Sequence, residues 1–136
     1  MAIYFQHYDN LSLKEIRIDA GSTDDAIRIV QLLMDQKKFD PNKLSIASLH
    51  YEVGHTPDPD PTKTSHYPLN FYGGGLEIYV NNVAAGFDGT ASRGTMTLLN
   101  MLGFKYSATQ EQLITQITYD ENGERNTKIN LTFSKF

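Results

Sequence analysis

The sequence has no cysteine among its 136 residues. Disulfide bonds, cysteine-ligated zinc, iron–sulfur clusters and thiol nucleophiles are therefore excluded. Long apolar runs are also missing, and Met1 to Tyr8 lacks the basic start and apolar stretch of a secretory signal. We therefore expect a cytoplasmic protein that has no membrane partner.

The chain has little net charge of either sign. Twelve Lys and Arg against sixteen Asp and Glu give a formal net charge of −4. A general nucleic-acid binder needs a basic footprint, so no nucleic-acid partner is expected. A length of 136 residues, with 40% hydrophobic and 21% charged residues, predicts a single globular domain over 1–136.

Proline is scarce except in one segment. Four of the five prolines lie in GHTPDPDPTKTSHYP, from Gly54 to Pro68. Such a segment cannot form regular structure, and it predicts a long exposed loop over residues 54–70. Loops of this length are commonly functional or mobile.

Apolar residues alternate in six short segments, which predicts six strands. These are Ile3 to Tyr8, Leu13 to Ala20, Leu44 to Val53, Leu76 to Val83, Gln112 to Tyr119 and Arg125 to Phe133. Turn residues at Asp9-Asn10 and Asn122-Gly123 predict that the first two and the last two strands form hairpins.

Two segments instead have helical spacing. Ser22 and Thr23 can cap a helix with an apolar stripe at Ile27, Val30, Leu33 and Met34, which ends before Pro41. A second helix is predicted from about Ser92 to Leu102, with Gly103 as its C-cap. The order ββαβ-loop-βαββ predicts an α+β fold whose antiparallel sheet carries two helices on one face.

A glycine-rich segment, GFDGTASRGT, connects the strand before it to the second helix, from Gly86 to Thr95. Its small residues allow backbone N–H groups to approach a ligand, and the helix N-terminus favours an anion. Arg93 adds a guanidinium that matches phosphate geometry. The segment predicts a phosphate or pyrophosphate site, although an ordinary strand-to-helix connection has the same appearance.

The longer pattern VAAGFDGTASRGTMTLLNMLGF, from Val83 to Phe104, resembles the phage anti-Thoeris proteins called sponges. Those proteins sequester cyclic ADP-ribose-type signals without cleaving them. The resemblance implies a non-enzymatic nucleotide-binding protein that counteracts bacterial anti-phage defence in the host cell cytoplasm. It implies that Arg93 and the small residues hold a pyrophosphate while an aromatic ring stacks on adenine.

The candidate ligand-binding residues come from the glycine-rich segment, the aromatics beside the triple glycine and one further arginine. They are Gly86, Phe87, Gly89, Thr90, Ser92, Arg93, Gly94, Thr95, Phe71, Tyr72 and Arg28. Arg125 is the other candidate for the second arginine, from a neighbouring element or subunit. No cofactor, metal ligand or catalytic residue is assigned.

Two other functions remain open. His50, His55 and His66, with Asp58 and Asp60 between them, could serve a small metal-dependent nucleotide hydrolase. Alternatively, the proline-rich loop could be the contact of a protein-interaction inhibitor or virion module. We also expect a homo-oligomer, a dimer or higher, because two helices would leave part of a six-stranded sheet uncovered.

Overall fold

The computed structural model describes residues 2–8 and 13–135. These residues contain six strands and three helices. The strands are β1 (Ala2–Tyr8), β2 (Leu13–Asp19), β3 (Ile46–Glu52), β4 (Leu69–Gly73), β5 (Leu76–Val80) and β6 (Lys128–Ser134). The helices are α1 (Thr23–Asp35), α2 (Thr90–Met101) and α3 (Ala108–Thr115), with short 3-10 turns at Pro41–Lys43 and Thr64–His66. The predicted Asp9-Asn10 turn lies outside the described residues.

The strands form one sheet in the order β1-β2-β5-β4-β3-β6. All neighbours are antiparallel except β2 and β5, which are parallel. The α+β class is confirmed, whereas the prediction of a purely antiparallel sheet is wrong. The reason is that α1 carries the chain back across the sheet after β2, so β3 and then β5 run in the same direction as β2.

One face of the sheet carries the hydrophobic core. Ile16, Ile78, Phe71, Ala47 and Phe133 lie side by side in register across five strands. All are buried in one cluster with side chains from the three helices, including Val30, Leu98 and Ile114. The helices therefore cover this face, as predicted. The residues that alternate with this row point to the opposite face, called here the polar face.

Both predicted helices are confirmed. Ser22 caps α1 by accepting a hydrogen bond from the Asp25 N–H at 3.1 Å. After α2, Gly103 has φ +81°, the left-handed conformation that glycine tolerates best.

The C-terminal hairpin is largely wrong. Part of the predicted strand Gln112 to Tyr119 lies in α3, which begins with a capping box between Ser107 and Gln110 and buries Ile114. Only an isolated bridge between Tyr119 and Arg125 remains of the pairing. Local capping and burial of one isoleucine against the core outweigh the strand-like alternation here.

The sequence analysis also missed one strand, β4 (Leu69–Gly73). This strand is short, follows Pro68 directly and ends at the first residue of the triple glycine. Gly73, Gly74 and Gly75 all have positive φ and turn the chain directly into β5. A Cβ at Gly73 would collide with the Lys43 carbonyl oxygen, so the backbones approach closely there. The observed element order is therefore ββαβ-loop-ββααβ.

The proline-rich segment is a loop, as predicted, except that residues 69 and 70 belong to β4. It crosses part of the polar face, where Arg17 donates to the Pro61 and Thr62 carbonyls. Among the described residues, no helix combines the length and the apolar character needed to cross a membrane.

Candidate functional site: a polar cavity beneath the proline-rich loop

The glycine-rich segment begins with a tightly packed turn. Gly86 has φ +90°, and a Cβ there would lie 2.7 Å from Val53 Cγ2. Its carbonyl oxygen accepts a hydrogen bond from Arg125 Nη2 at 3.2 Å. Of the two candidate second arginines, Arg125 thus contacts this segment, whereas the exposed Arg28 forms an ion pair with Asp25 at 3.5 Å.

The small polar residues at the start of α2 are mostly packed inside the protein. Ser92 and Thr95 are fully buried. The Thr95 hydroxyl donates to the Ala84 carbonyl at 2.7 Å, and a Cβ at Gly94 would collide with the methyl group of Thr23. These three predicted ligand contacts therefore lie against the chain itself.

Other residues of the segment are at the surface. Gly89 is the N-cap of α2 and lies against the Phe87 ring, and Thr90 is exposed. Arg93 is also exposed and bonds to Asp88 Oδ1 at 2.7 Å. A surface ion pair of this kind contributes little to stability, so the guanidinium can exchange Asp88 for another anion.

The two aromatics beside the triple glycine do not form one stacking surface. Phe71 is fully buried in the core, with its ring centroid 5.5 Å from that of Phe104. Tyr72 points to the polar face, where its ring meets Tyr79 edge-on at 6.2 Å. Successive residues of a strand face opposite sides, so Phe71 is a core residue here and is not placed to stack on a base.

A cavity of about 580 Å³ opens where the proline-rich loop meets the polar face at β3 and β6. We call it the polar cavity. Its lining combines imidazole, ammonium, carboxylate, amide and hydroxyl groups with two tyrosines. The lining residues are His50, Tyr51, Glu52, His55, Thr56, Pro57, Asp58, Thr64, Ser65, Tyr67, Pro68, Asn70, Lys128 and Asn130. Nearly every wall therefore presents a hydrogen-bonding group.

Cross-strand pairing builds the sheet side of this cavity. His50 lies opposite Asn130, and Glu52 opposite Lys128, on the pair β3 and β6. His50 Nδ1 is 2.9 Å from Asn130 Oδ1, an oxygen that can only accept, so this ring nitrogen carries a proton. Lys128 has no hydrogen bond or ion pair within the part of the chain that the structure describes, which leaves its ammonium group open to the cavity.

Hydrogen bonds within the loop organise its side of the cavity. Asp58 Oδ2 lies 3.3 Å from the Ser65 hydroxyl, which donates to it, and 3.7 Å from Lys63 Nζ. His55 Nε2 lies 3.5 Å from Glu52 Oε1. Both carboxylates of the lining thus have exposed neighbours, Lys63 beside Asp58 and His55 beside Glu52, that a ligand can displace.

The cavity and the glycine-rich segment lie at the same end of the sheet. Tyr51 lines the cavity at the end of β3, and its ring centroid is 6.4 Å from that of Phe87. Because Tyr51 alternates with His50 and Glu52 along β3, its ring lies on the helix-covered face with Phe87, and the glycine-rich segment is across the sheet from the cavity.

The rest of the polar face is a buried network beneath the loop. Glu15 is 4% exposed and bonds to Arg17, whose guanidinium lies over the Tyr79 ring at 5.7 Å. Burial lowers the pKa of Arg17, but the hydrogen bond and charge of Glu15 outweigh it and raise that pKa. Burial also raises the pKa of Tyr67 to about 12, and its hydroxyl donates to the Pro61 carbonyl at 2.9 Å.

The candidate histidines do not converge on one point. His50 and His55 line the polar cavity, whereas His66 bonds to Asp19 at 3.0 Å on β2. Among the described residues, no group of three His, Cys, Asp or Glu side chains is placed to hold a metal ion. The set proposed for a metal-dependent hydrolase is therefore not assembled in this conformation.

Sequence reasoning missed Lys128, Asn130 and Asn70. The polar positions alternating along β6 were visible, but its pairing with β3 joins residues about eighty positions apart. No local signal reports such a pairing.

The molecule is thus an α+β protein with a mixed six-stranded sheet, helices on one face and a polar cavity under a long loop on the other. The chain matches no family model, no curated protein and no solved structure.

Proposed function

We propose that this protein binds and sequesters a cyclic nucleotide signal of the cyclic ADP-ribose class in the polar cavity, without cleaving it. By the resemblance of Val83 to Phe104 to the sponges, it acts in the host cell cytoplasm to counteract bacterial anti-phage defence. The observation that carries the proposal is the cavity itself. Its volume of about 580 Å³ lies within the range of roughly 300–1,000 Å³ that small-molecule sites occupy.

The chemistry of the lining suits a ligand with a pyrophosphate and two riboses. Lys128 and His55 offer N–H donors to phosphate oxygens, which charge-assisted bonds hold most strongly. The carboxylates of Glu52 and Asp58 accept hydrogen bonds from ribose hydroxyls. Neither tyrosine of the lining presents a free ring to the base, because Tyr67 is 2% exposed and the Tyr51 ring packs with Phe87 on the helix-covered face, so recognition of the base falls to the polar groups of the lining.

The glycine-rich segment has a supporting role in this proposal. Phe87 packs on Tyr51 at the end of β3, whereas Arg93, exposed on the helix-covered face, bonds to Asp88 and does not line the cavity. The buried Ser92, Gly94 and Thr95 then hold the segment in place and do not contact the ligand.

The test is to incubate the purified protein with cyclic ADP-ribose, remove unbound ligand, heat-denature the protein and analyse what is released. Intact ligand in amounts comparable to the protein supports sequestration. Released products would indicate an enzyme, and no retention of cyclic ADP-ribose would overturn the proposal in favour of a protein-interaction module.

Variants then locate the site. Lys128→Ala removes the open ammonium group and is expected to weaken binding about tenfold, the lower end of a charge-assisted bond. Lys105→Ala, at an exposed lysine outside the cavity, is the matched control and should bind normally. If Arg93→Ala abolishes binding while Lys128→Ala has no effect, the ligand lies on the glycine-rich segment and not in the cavity.

A further inference from the structure

His66 lies at the centre of the loop segment that forms one wall of the polar cavity, yet its side chain does not line it. Its neighbours Thr64, Ser65, Tyr67 and Pro68 all line the cavity. The His66 side chain is 12% exposed and instead reaches Asp19 on β2. The His66 ring therefore ties this wall to β2, alongside the contacts that Arg17 makes to the Pro61 and Thr62 carbonyls.

One ring nitrogen is committed to the loop. His66 Nδ1 lies 2.6 Å from the Asp58 carbonyl oxygen. A carbonyl oxygen can only accept, so Nδ1 carries a proton in every state that keeps this bond. The same residue, Asp58, presents its carboxylate to the cavity.

The other ring nitrogen has two partners of opposite character. His66 Nε2 lies 3.0 Å from Asp19 Oδ1 and 2.8 Å from Asn81 Nδ2. The Asn81 amide has a defined orientation, because its Oδ1 accepts from the Asn82 N–H at 2.7 Å and its Nδ2 also reaches Asp19 Oδ1 at 3.2 Å. A neutral ring therefore accepts from Asn81 while its lone pair faces a carboxylate. A protonated ring donates to Asp19, and the Asn81 amide N–H then turns from Nε2 to its other acceptor, Asp19 Oδ1.

We infer that His66 is a proton-sensitive latch: its protonated ring holds the loop wall of the polar cavity against β2, and loss of that proton loosens the wall and weakens retention of the ligand. The regulatory part of this inference rests on the proposed function. The structural part, a loop whose opening depends on pH, does not.

The charges around the ring favour the protonated form. Burial by itself lowers the pKa of His66, but the bonds to Asp19 and to the Asp58 carbonyl, with the charges of both carboxylates, raise it above its ordinary 6.5. The Tyr67 ring stands edge-on to the imidazole at 4.8 Å and adds no charge. The other charged groups near the latch are Asp60 in the same loop, Lys63, which pairs with Asp58, and Arg17, which is bound to Glu15 and to the loop carbonyls.

The first experiment needs no ligand. Amide hydrogen exchange of the loop, corrected for intrinsic rates, is measured from about pH 5.5 to about pH 8.5, the window in which a histidine titrates. Opening of the loop should rise about fivefold across this range, the effect of replacing the charge-assisted bond to Asp19 by the neutral bond from Asn81, a difference of about 1 kcal/mol. His66→Gln, which can hydrogen-bond but does not titrate, should give a flat profile, and His55→Gln should keep the parent slope because the exposed His55 contacts Glu52 on β3 and does not reach β2.

Imidazole NMR covers the case in which His66→Gln does not fold. The neutral His66 ring should be the Nδ1–H tautomer, and its pKa should fall in Asp19→Asn. A neutral Nε2–H ring, an unchanged pKa in Asp19→Asn, or a flat exchange profile in the parent protein would each overturn the latch.

The ligand arm uses cyclic ADP-ribose. Its dissociation should be faster at the higher pH in the parent and nearly independent of pH in His66→Gln. If the loop responds to pH but cyclic ADP-ribose does not bind, the proposed function fails and the latch stands. If the ligand binds but the loop does not respond, the latch alone fails.

Discussion

Replacing Gly94 with alanine, where α1 contacts α2, should have two opposing effects on stability: a steric clash and a gain in helix propensity. The new Cβ would collide with the methyl group of Thr23. Thr23 is not free to turn away, because its hydroxyl donates to the Asn82 carbonyl at 2.6 Å. Either this hydrogen bond breaks or the start of α1 moves away from α2.

The magnitudes decide the sign of the change. Alanine in place of glycine within a helix stabilises by about 1 kcal/mol. Overpacking a well-packed contact costs about 1–3 kcal/mol, and loss of the Thr23 hydrogen bond would add to it. We therefore expect Gly94→Ala to lower the free energy of unfolding by about 0–2 kcal/mol, or the melting temperature by up to roughly 8 °C for a chain of this length.

A second substitution separates the two effects. In Thr23→Ser the hydroxyl remains and the colliding methyl group is gone, so Gly94→Ala in that background should be stabilising by up to about 1 kcal/mol. Gly21→Ala is the matched control, since its Cβ would meet nothing closer than Asp25 Oδ2 at 3.8 Å. Urea and thermal unfolding followed by circular dichroism are measured for the parent and all four variants. If Gly94→Ala destabilises equally with Thr23 and with Ser at that position, the steric reasoning is refuted.

The same two substitutions test whether Gly94 contacts the ligand. The Thr23 methyl group occupies the space that a ligand would need beside Gly94. The Thr23→Ser, Gly94→Ala double variant should therefore retain cyclic ADP-ribose as well as the parent does. A stable double variant that no longer binds cyclic ADP-ribose would show that Gly94 is part of the ligand site.

Other outcomes follow from the same contacts. The His66 pKa is raised above 6.5 and that of Asp19, where two hydrogen bonds outweigh the opposite effect of burial, is lowered below 3.8. The His66–Asp19 pair should therefore stabilise the fold most between pH 3.8 and pH 6.5. Its contribution is lost as pH rises through the folded pKa of His66 or falls through that of Asp19. In Asp19→Asn the free energy of unfolding should depend less on pH. Gly73→Ala should lower the free energy of unfolding by at least about 1 kcal/mol, because its positive φ and the Lys43 carbonyl both oppose a Cβ, whereas Gly54→Ala, at φ +84° in open space, should cost less. We expect light scattering to give at least a dimer, since the partly exposed Tyr4 and Phe5 lie on the edge strand β1, and a 15.3 kDa monomer that binds cyclic ADP-ribose would refute a pocket shared between subunits.

The sequence alone determined the elements whose formation depends on neighbouring residues, through helix caps, prolines and the alternation of apolar side chains. The Ser22 cap and the apolar stripe after it define α1, and Gly103 marks the end of α2. The four prolines between Gly54 and Pro68 prevent regular strands there, so the long loop was predictable. Alternation placed β1, β2, β3, β5 and β6 within a few residues of their observed bounds because it reports which side chains are buried.

Tertiary structure alone decided which elements meet. The strand order, the parallel pair β2 and β5, and the pairing of β3 with β6 depend on contacts between distant residues, which no window of sequence reports. The same contacts turn Phe71 into the core and bring His50, Lys128 and Asp58 around one cavity. They also place His66 beside Asp19 and Asn81, where its ring nitrogens meet the carbonyl, carboxylate and amide that make protonation matter.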